Sequence, residues 1–234
     1  MIPPAETAAA ASRGREAAWL AVFLSLTAVV IVASYPARWL EPGLNGLGLA
    51  ALIALRETCA FGVLAVTARR YLGLSLLELG VVRPKLVDVA VGITVGCVLI
   101  AISLATSYVL PKVPSRILAA VVRGSIGMQL AAVLMVGVWS PFVQELVFRG
   151  ALLRALRERL SSRASVLVSA FVFAALHAAA GWPTVIAAFV DGVGLGALTL
   201  RRRTLTAAIA AHMTVNLVAC VYVLVWRFIV RHRW

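Results

Sequence analysis

Ser140-Pro141-Phe142-Val143-Gln144-Glu145-Leu146-Val147-Phe148-Arg149-Gly150 is the stretch on which the reading of this chain turns. Apolar sequence flanks it on both sides, yet its middle holds Gln144, Glu145 and Arg149. A charge at the centre of a spanning helix costs about 2.5 kcal/mol or more unless it is paired or faces a polar cavity. Glu145 and Arg149 are four residues apart, on one helical face and within reach of each other. Gln144 is rotated by about 100° from Glu145 and can look elsewhere. Pro141 has no N–H, and its ring clashes with the carbonyl of Gly137, so the spacing predicts a kink one turn before the polar group.

The composition around this stretch belongs to a membrane. The 234 residues are 62% hydrophobic and 13% charged, with a mean hydropathy of +1.00, whereas a soluble domain is about half apolar and a quarter charged. A net charge of +13 could suggest nucleic acid, but no soluble basic domain or aromatic-interleaved patch exists to carry such binding, so none is expected. The charge reads as topology. Cys59, Cys97 and Cys220 lie in apolar segments without the spacing of a zinc or redox motif and are expected to be core filler.

Residues 1–16 read as a disordered tail, and 17–234 as a single membrane domain with its motif-bearing core at 128–229. Apolar windows fall at 17–35, 46–68, 88–110, 128–157, 163–180, 183–200 and 205–229, each of roughly spanning length. The expected fold is therefore all-α, a polytopic transmembrane helix bundle of about seven spans with a kinked catalytic helix. Lys and Arg set its orientation. Arg13, Arg15, Arg69, Arg70, Arg83, Lys85, Arg154, Arg157, Arg159, Arg163 and Arg201 to Arg203 share one side if the N-terminus is cytoplasmic, and fewer lie opposite. The C-terminal Arg227, Arg231 and Arg233 run against this assignment. Trp19, Trp182, Trp226 and Trp234 are expected at interfaces.

Two further apolar helices carry polar groups with a partner one turn away. His177 follows Phe173 at i+4, and His212 precedes Asn216 at i+4. A lone intramembrane histidine is ordinarily a satisfied interhelical hydrogen bond. Three such helices together supply a carboxylate or carboxamide, two imidazoles and an amide, the parts that activate water and stabilise an oxyanion in peptide hydrolysis.

Gln144-Glu145-x-x-x-Arg149, Phe173-x-x-x-His177 and His212-x-x-x-Asn216, in this order on successive helices, resemble the three motifs of the CAAX-protease and bacteriocin-processing (CPBP) intramembrane protease family. The resemblance spans about Trp139 to Asn216, and Leu74 to Lys85 also looks like that family's short cytoplasmic linker. It implies an intramembrane endopeptidase acting near the C-terminus or leader of a membrane-anchored protein or peptide. It further implies that a carboxylate at position 144, with His177, activates water, and that His212 and Asn216 hold the oxyanion. Arg149 would organise the helix through Glu145, and Phe173 would pack beside the site. The Ala- and Arg-rich composition points to a bacterial inner (plasma) membrane.

The departure from the family is at Gln144, where the first of a glutamate pair is usual, because an amide cannot take a proton from water. Three readings stay open: Glu145 is the base, the position is inactivating, or another carboxylate substitutes. Asp191, in the middle of the sixth window, is the candidate for the last; its plain alternative is a packing residue among glycines. Glu145, His177 and His212 could instead form a two-histidine, one-carboxylate zinc set, but no HExxH spacing supports it and no cofactor is expected. Arg56 and Glu57 in the second window either pair with neighbouring helices or line the cavity. Two other classes compete. One is a catalytically inactive family member serving as an immunity or scaffold protein, supported by Gln144. The other is a small transporter using Glu57, Glu145 and Asp191, which would need related halves that the sequence does not display.

Overall fold

The computed structural model describes residues 46–71, 75, 77–109 and 125–231. The tail at 1–16, the first apolar window and Trp19 lie outside them. Among the described residues every regular element is helical. Helix α1 is Gly46–Tyr71, α2 Leu86–Val109, α3 the composite helix Ile126–Arg157, α4 Ser162–Ala175, α5 Trp182–Arg202 and α6 Thr206–Arg231.

Three of these, Leu86–Thr106, Ile126–Arg157 and Trp182–Arg202, are long and apolar enough to cross a membrane, and Ser162–Ala175 and Thr206–Tyr222 are shorter apolar helices. The described residues thus show fewer spans than the seven apolar windows. The window at 163–180 yields only 14 residues of α-helix, about 21 Å at 1.5 Å per residue against a hydrocarbon core of about 30 Å. Leu55, Leu130, Phe171 and Val225 are among many large apolar side chains turned outward. Long apolar helices with such outer faces make this an integral membrane protein.

Helix α3 carries the kink, and its cause extends beyond Pro141. Its ladder shifts from i+4 to i+5 at Met135–Trp139, returns to α at Ser140–Glu145, and shifts again at Leu146–Leu152. In the first shift the Ser140 N–H bonds Met135 O. The Val136 carbonyl then faces Pro141, which has no N–H to give. Asn216 supplies the missing donor from α6, with Nδ2 2.8 Å from Val136 O. Ser169 on α4 likewise donates to Phe148 O in the second shift, at 3.2 Å. Neighbouring helices thus hold the widened turns in place.

Small residues bring the other helices close. A methyl group at Gly96 of α2 would lie 2.7 Å from Ala211 O and 2.8 Å from Thr214 Cβ of α6. Opposite this face Ala207, Ala208 and Ala211 are fully buried, a small-residue helix contact of the kind membranes favour. Helices α4 and α5 form a hairpin through Ala178–Ala180 and Gly181, whose φ of 92° suits glycine. A methyl at Gly192 would lie 2.9 Å from Ala170 Cα. The principal core gathers around α3, with Leu64, Val143, Leu146, Phe148, Phe173 and Leu205.

At one end of the bundle the segment 77–80 is strapped to α3 and α6. Leu79 is buried, Arg154 donates to Glu78 O, and Leu205 N–H reaches Gly80 O at 3.4 Å. Arg202 grips Asp88 Oδ1 through Nε at 2.8 Å and Nη2 at 2.7 Å. Two expectations require correction. Cys59 and Cys97 are exposed on outward faces and are not core filler. His177 is not inside its helix: α4 ends at Ala175 and His177 occupies the turn beyond it.

Candidate active site

The α-helical piece Ser140–Glu145, held between the two widened turns, presents polar side chains in two directions. One direction is sealed. Glu145 is 0% exposed, and its Oε1 accepts from Arg149 Nη1 at 2.8 Å and from His212 Nδ1 at 2.8 Å. Arg149 is 3% exposed; its Nη2 donates to Gly192 O at 3.1 Å, and its guanidinium lies 4.8 Å from the centre of the Phe173 ring. A buried charge pair holds only with such additional partners. Glu145 Oε2, Arg149 Nε and Asp191 Oδ1 are nevertheless buried without a hydrogen-bond partner.

Phe173 organises the imidazoles. Its ring packs against His177 at 4.9 Å and edge-on against His212 at 5.7 Å. His177 Nδ1 lies 2.9 Å from Phe173 O; a carbonyl only accepts, so Nδ1 carries the proton and the neutral ring keeps its lone pair on Nε2. His212 Nδ1–H is likewise committed to the Glu145 carboxylate, leaving its Nε2 for another partner. Electrostatically, His177 has His212, Arg56 and Glu57 as neighbours.

The second direction from α3 meets a carboxylate from α1. Gln144 Nε2 donates to Glu57 Oε1 at 3.1 Å and to Ser140 Oγ at 2.7 Å. Ser140 Oγ–H donates to the same Glu57 Oε1 at 3.1 Å, and Arg56 Nη2 lies 2.8 Å from it. Because a carboxylate accepts only, Gln144 turns its nitrogen toward Glu57 and keeps its own Oε1 as an acceptor. Every hydrogen bond to Glu57 among the described residues falls on Oε1. Glu57 was one of two open readings in the sequence, partner or cavity lining; the tie to Gln144, 87 residues away, had no local spacing to announce it.

The sequence-derived set therefore divides. Glu145, Arg149, His212, Phe173 and His177 form one connected cluster, and Gln144 joins its neighbour Glu145 to the Glu57 group. Asn216 serves the widened turn of α3 through Val136 O. Asp191 does not do what a replacement carboxylate beside His177 would do: it makes no hydrogen bond to that ring, and the charges around it are those of His212, Arg149 and Glu145. Glu145 is a poor base in this arrangement, since its bonded oxygen is shared by two donors and its other oxygen is buried. For the zinc alternative, no three His, Cys, Asp or Glu side chains among the described residues are grouped to hold a metal ion.

Residues 126–218 match the family model described as Type II CAAX prenyl endopeptidase Rce1-like. No curated protein and no solved structure matches the chain.

Proposed function

Since residues 126–218 match the Rce1-like family model, we propose that the chain is a CPBP-type intramembrane endopeptidase hydrolysing a peptide bond near the C-terminus, or in the leader, of a membrane-anchored protein or peptide. The observation that carries this reading is the pair of imidazoles flanking Phe173. Each is anchored through Nδ1, one on a carbonyl and one on a carboxylate, and each has Nε2 left for chemistry. His177 and a carboxylate take up the attacking water. His212, in its imidazolium form against Glu145, donates Nε2–H to the developing oxyanion. Asn216 has one amide hydrogen on Val136 O and a second for the same oxyanion. Arg149 and Phe173 keep this arrangement rigid, and Asp191 packs behind it.

The finer architecture belongs to the same proposal: one membrane domain of about seven spans, the N-terminus cytoplasmic, in a bacterial inner membrane. A sorting anchor, a leader peptide or a prenylated C-terminus would each bring a backbone into the bilayer beside α3. The test is cleavage by the full chain in liposomes of two probes, a farnesylated CAAX peptide and a reporter with a C-terminal transmembrane anchor. Wild type is expected to cleave at least one, and His177→Ala to lower the rate by about 10²- to 10⁴-fold. The alternative, an inactive family member serving as an immunity or scaffold protein, draws on Gln144; cleavage of neither probe would favour it over the peptidase.

A further inference from the structure

Position 144 carries an amide where the family resemblance implies a carboxylate, and a carboxylate from another helix stands against it. Glu57 Oε1 is 3.1 Å from Gln144 Nε2, and the contact is built rather than incidental: Ser140 Oγ bridges the two side chains, and Arg56 adds a cation at 2.8 Å. Glu57 is 5% exposed, so an ionised carboxylate there requires the three donors it has. All three donors occupy Oε1, and His177 counts Glu57 among its electrostatic neighbours. Gln144 is half-buried, and its Oε1 has no partner among the described residues.

We infer that Glu57 is the general base of this peptidase, displaced from α3 to α1, and that Gln144 is the positioning residue that orients it. The inference rests on the endopeptidase reading above. Water donates one hydrogen to Glu57 Oε2 and the other to the lone pair of His177 Nε2, while Gln144 holds Glu57 through its Nε2. As its oxygen attacks the scissile carbonyl carbon, the O–H bond breaks and the proton passes to Glu57 Oε2. The carbonyl π electrons move onto oxygen, which His212 Nε2–H receives. When the tetrahedral species collapses, the C–N bond breaks, the nitrogen leaves with its electron pair and the proton returns from Glu57 to that nitrogen. One water is consumed, and a carboxylic acid and an amine are formed.

The experiment exchanges the two side chains, using the full chain in liposomes with the same two probes. Glu57→Gln keeps the shape and an acceptor for Ser140 and Gln144, and is expected to lower cleavage by about 10²- to 10⁴-fold. The double variant Glu57→Gln with Gln144→Glu returns a carboxylate to the same contact from the other helix and is expected to recover at least a tenth of the wild-type rate. A merely structural Glu57 predicts no such recovery. The inference is overturned, with the peptidase reading intact, if Glu57→Gln stays within about threefold of wild type while His177→Ala is inactive. It is equally overturned if the single and double variants are both inactive but keep the wild-type thermal midpoint in detergent. If wild type cleaves neither probe, the endopeptidase reading falls and this inference falls with it.

Discussion

Two carboxylates contact helix α3, and they are kept in opposite ways. Glu145 is on the helix and wholly enclosed, one oxygen shared between Arg149 and His212 and the other without a partner. Glu57 comes from α1 and is held by a neutral amide, a hydroxyl and the partly exposed Arg56. In the first, removing a partner leaves a charge in a low-dielectric interior. In the second, the cation Arg56 is partly exposed, the other two donors are neutral, and Oε2 has no partner among the described residues. Full enclosure between Arg149 and His212 makes a brace, and a carboxylate whose cation reaches solvent makes a reagent.

The largest effect that could break this comparison is on stability. Arg149→Met should destabilise the protein by about 3 to 5 kcal/mol, because Glu145 then keeps only His212 against its charge. Glu57→Gln should cost less than about 1 kcal/mol, since shape and hydrogen bonds persist. Unfolding midpoints in mixed micelles decide the matter; equal losses would mean that the two sites are both braces.

Between these two sites the legibility of the sequence changes. The i, i+4 spacing of Glu145 with Arg149 corresponds to a 2.8 Å contact set by helical geometry, whereas Phe173 and His177 meet at 4.9 Å with His177 beyond the end of α4, its Nδ1 held by the Phe173 carbonyl. Pro141 announced a kink for a reason internal to its ring. The widened turns were not legible: whether a ladder shifts to i+5 depends on a donor arriving from elsewhere, here Asn216 from 80 residues away. His177 was read inside a helix because nothing apolar in Ala174 to Leu176 ends one; the stop comes from the Gly181 turn and Pro183 beyond it. Asp191 reads as the spare carboxylate because it is mid-span, but the charges around it are those of His212, Arg149 and Glu145, and it makes no hydrogen bond to His177 among the described residues. Glu57 carried no positional signal, and only the packing of α1 on α3 gives it a partner.

A smaller effect sharpens the Glu57 side. Gln144→Glu alone puts a second carboxylate at the 3.1 Å contact, where like charges oppose one another and the pair must hold a proton between them. Changing Glu57 to Gln in that background removes the conflict. A double-mutant cycle on thermal stability should therefore return a favourable coupling of about 0.5 to 3 kcal/mol. Coupling near zero would mean that the two side chains do not share a site.

The smallest effect uses a third carboxylate, which lacks both enclosure and neutral burial. Glu78 is exposed at the strap that joins α1 to α2, where its Oε2 accepts from Ser75 N–H at 2.7 Å and from Ser75 Oγ–H at 2.9 Å. Ser75 in return places Oγ 3.4 Å from Glu78 N–H, so the two residues close a capping box around the turn at 77–80. The Ser75 backbone bond, then its hydroxyl, and last the charge of Arg154 hold the Glu78 carboxyl below its ordinary value of 4.5. A depressed carboxyl contributes order that is present above the ordinary value and lost as pH falls through the lowered one. The backbone amide resonance of Ser75 should therefore be constant from neutral pH down to about 5 and then move, with a midpoint below 4.5. In Glu78→Ala it should already sit at its acid-limit position at neutral pH, while cleavage by the full chain changes by less than about twofold, because screened surface charges contribute little. A midpoint at or above 4.5, or a loss of cleavage that follows this titration, would show that the strap and the polar centre of α3 are not separate in the way the two carboxylates on that helix suggest.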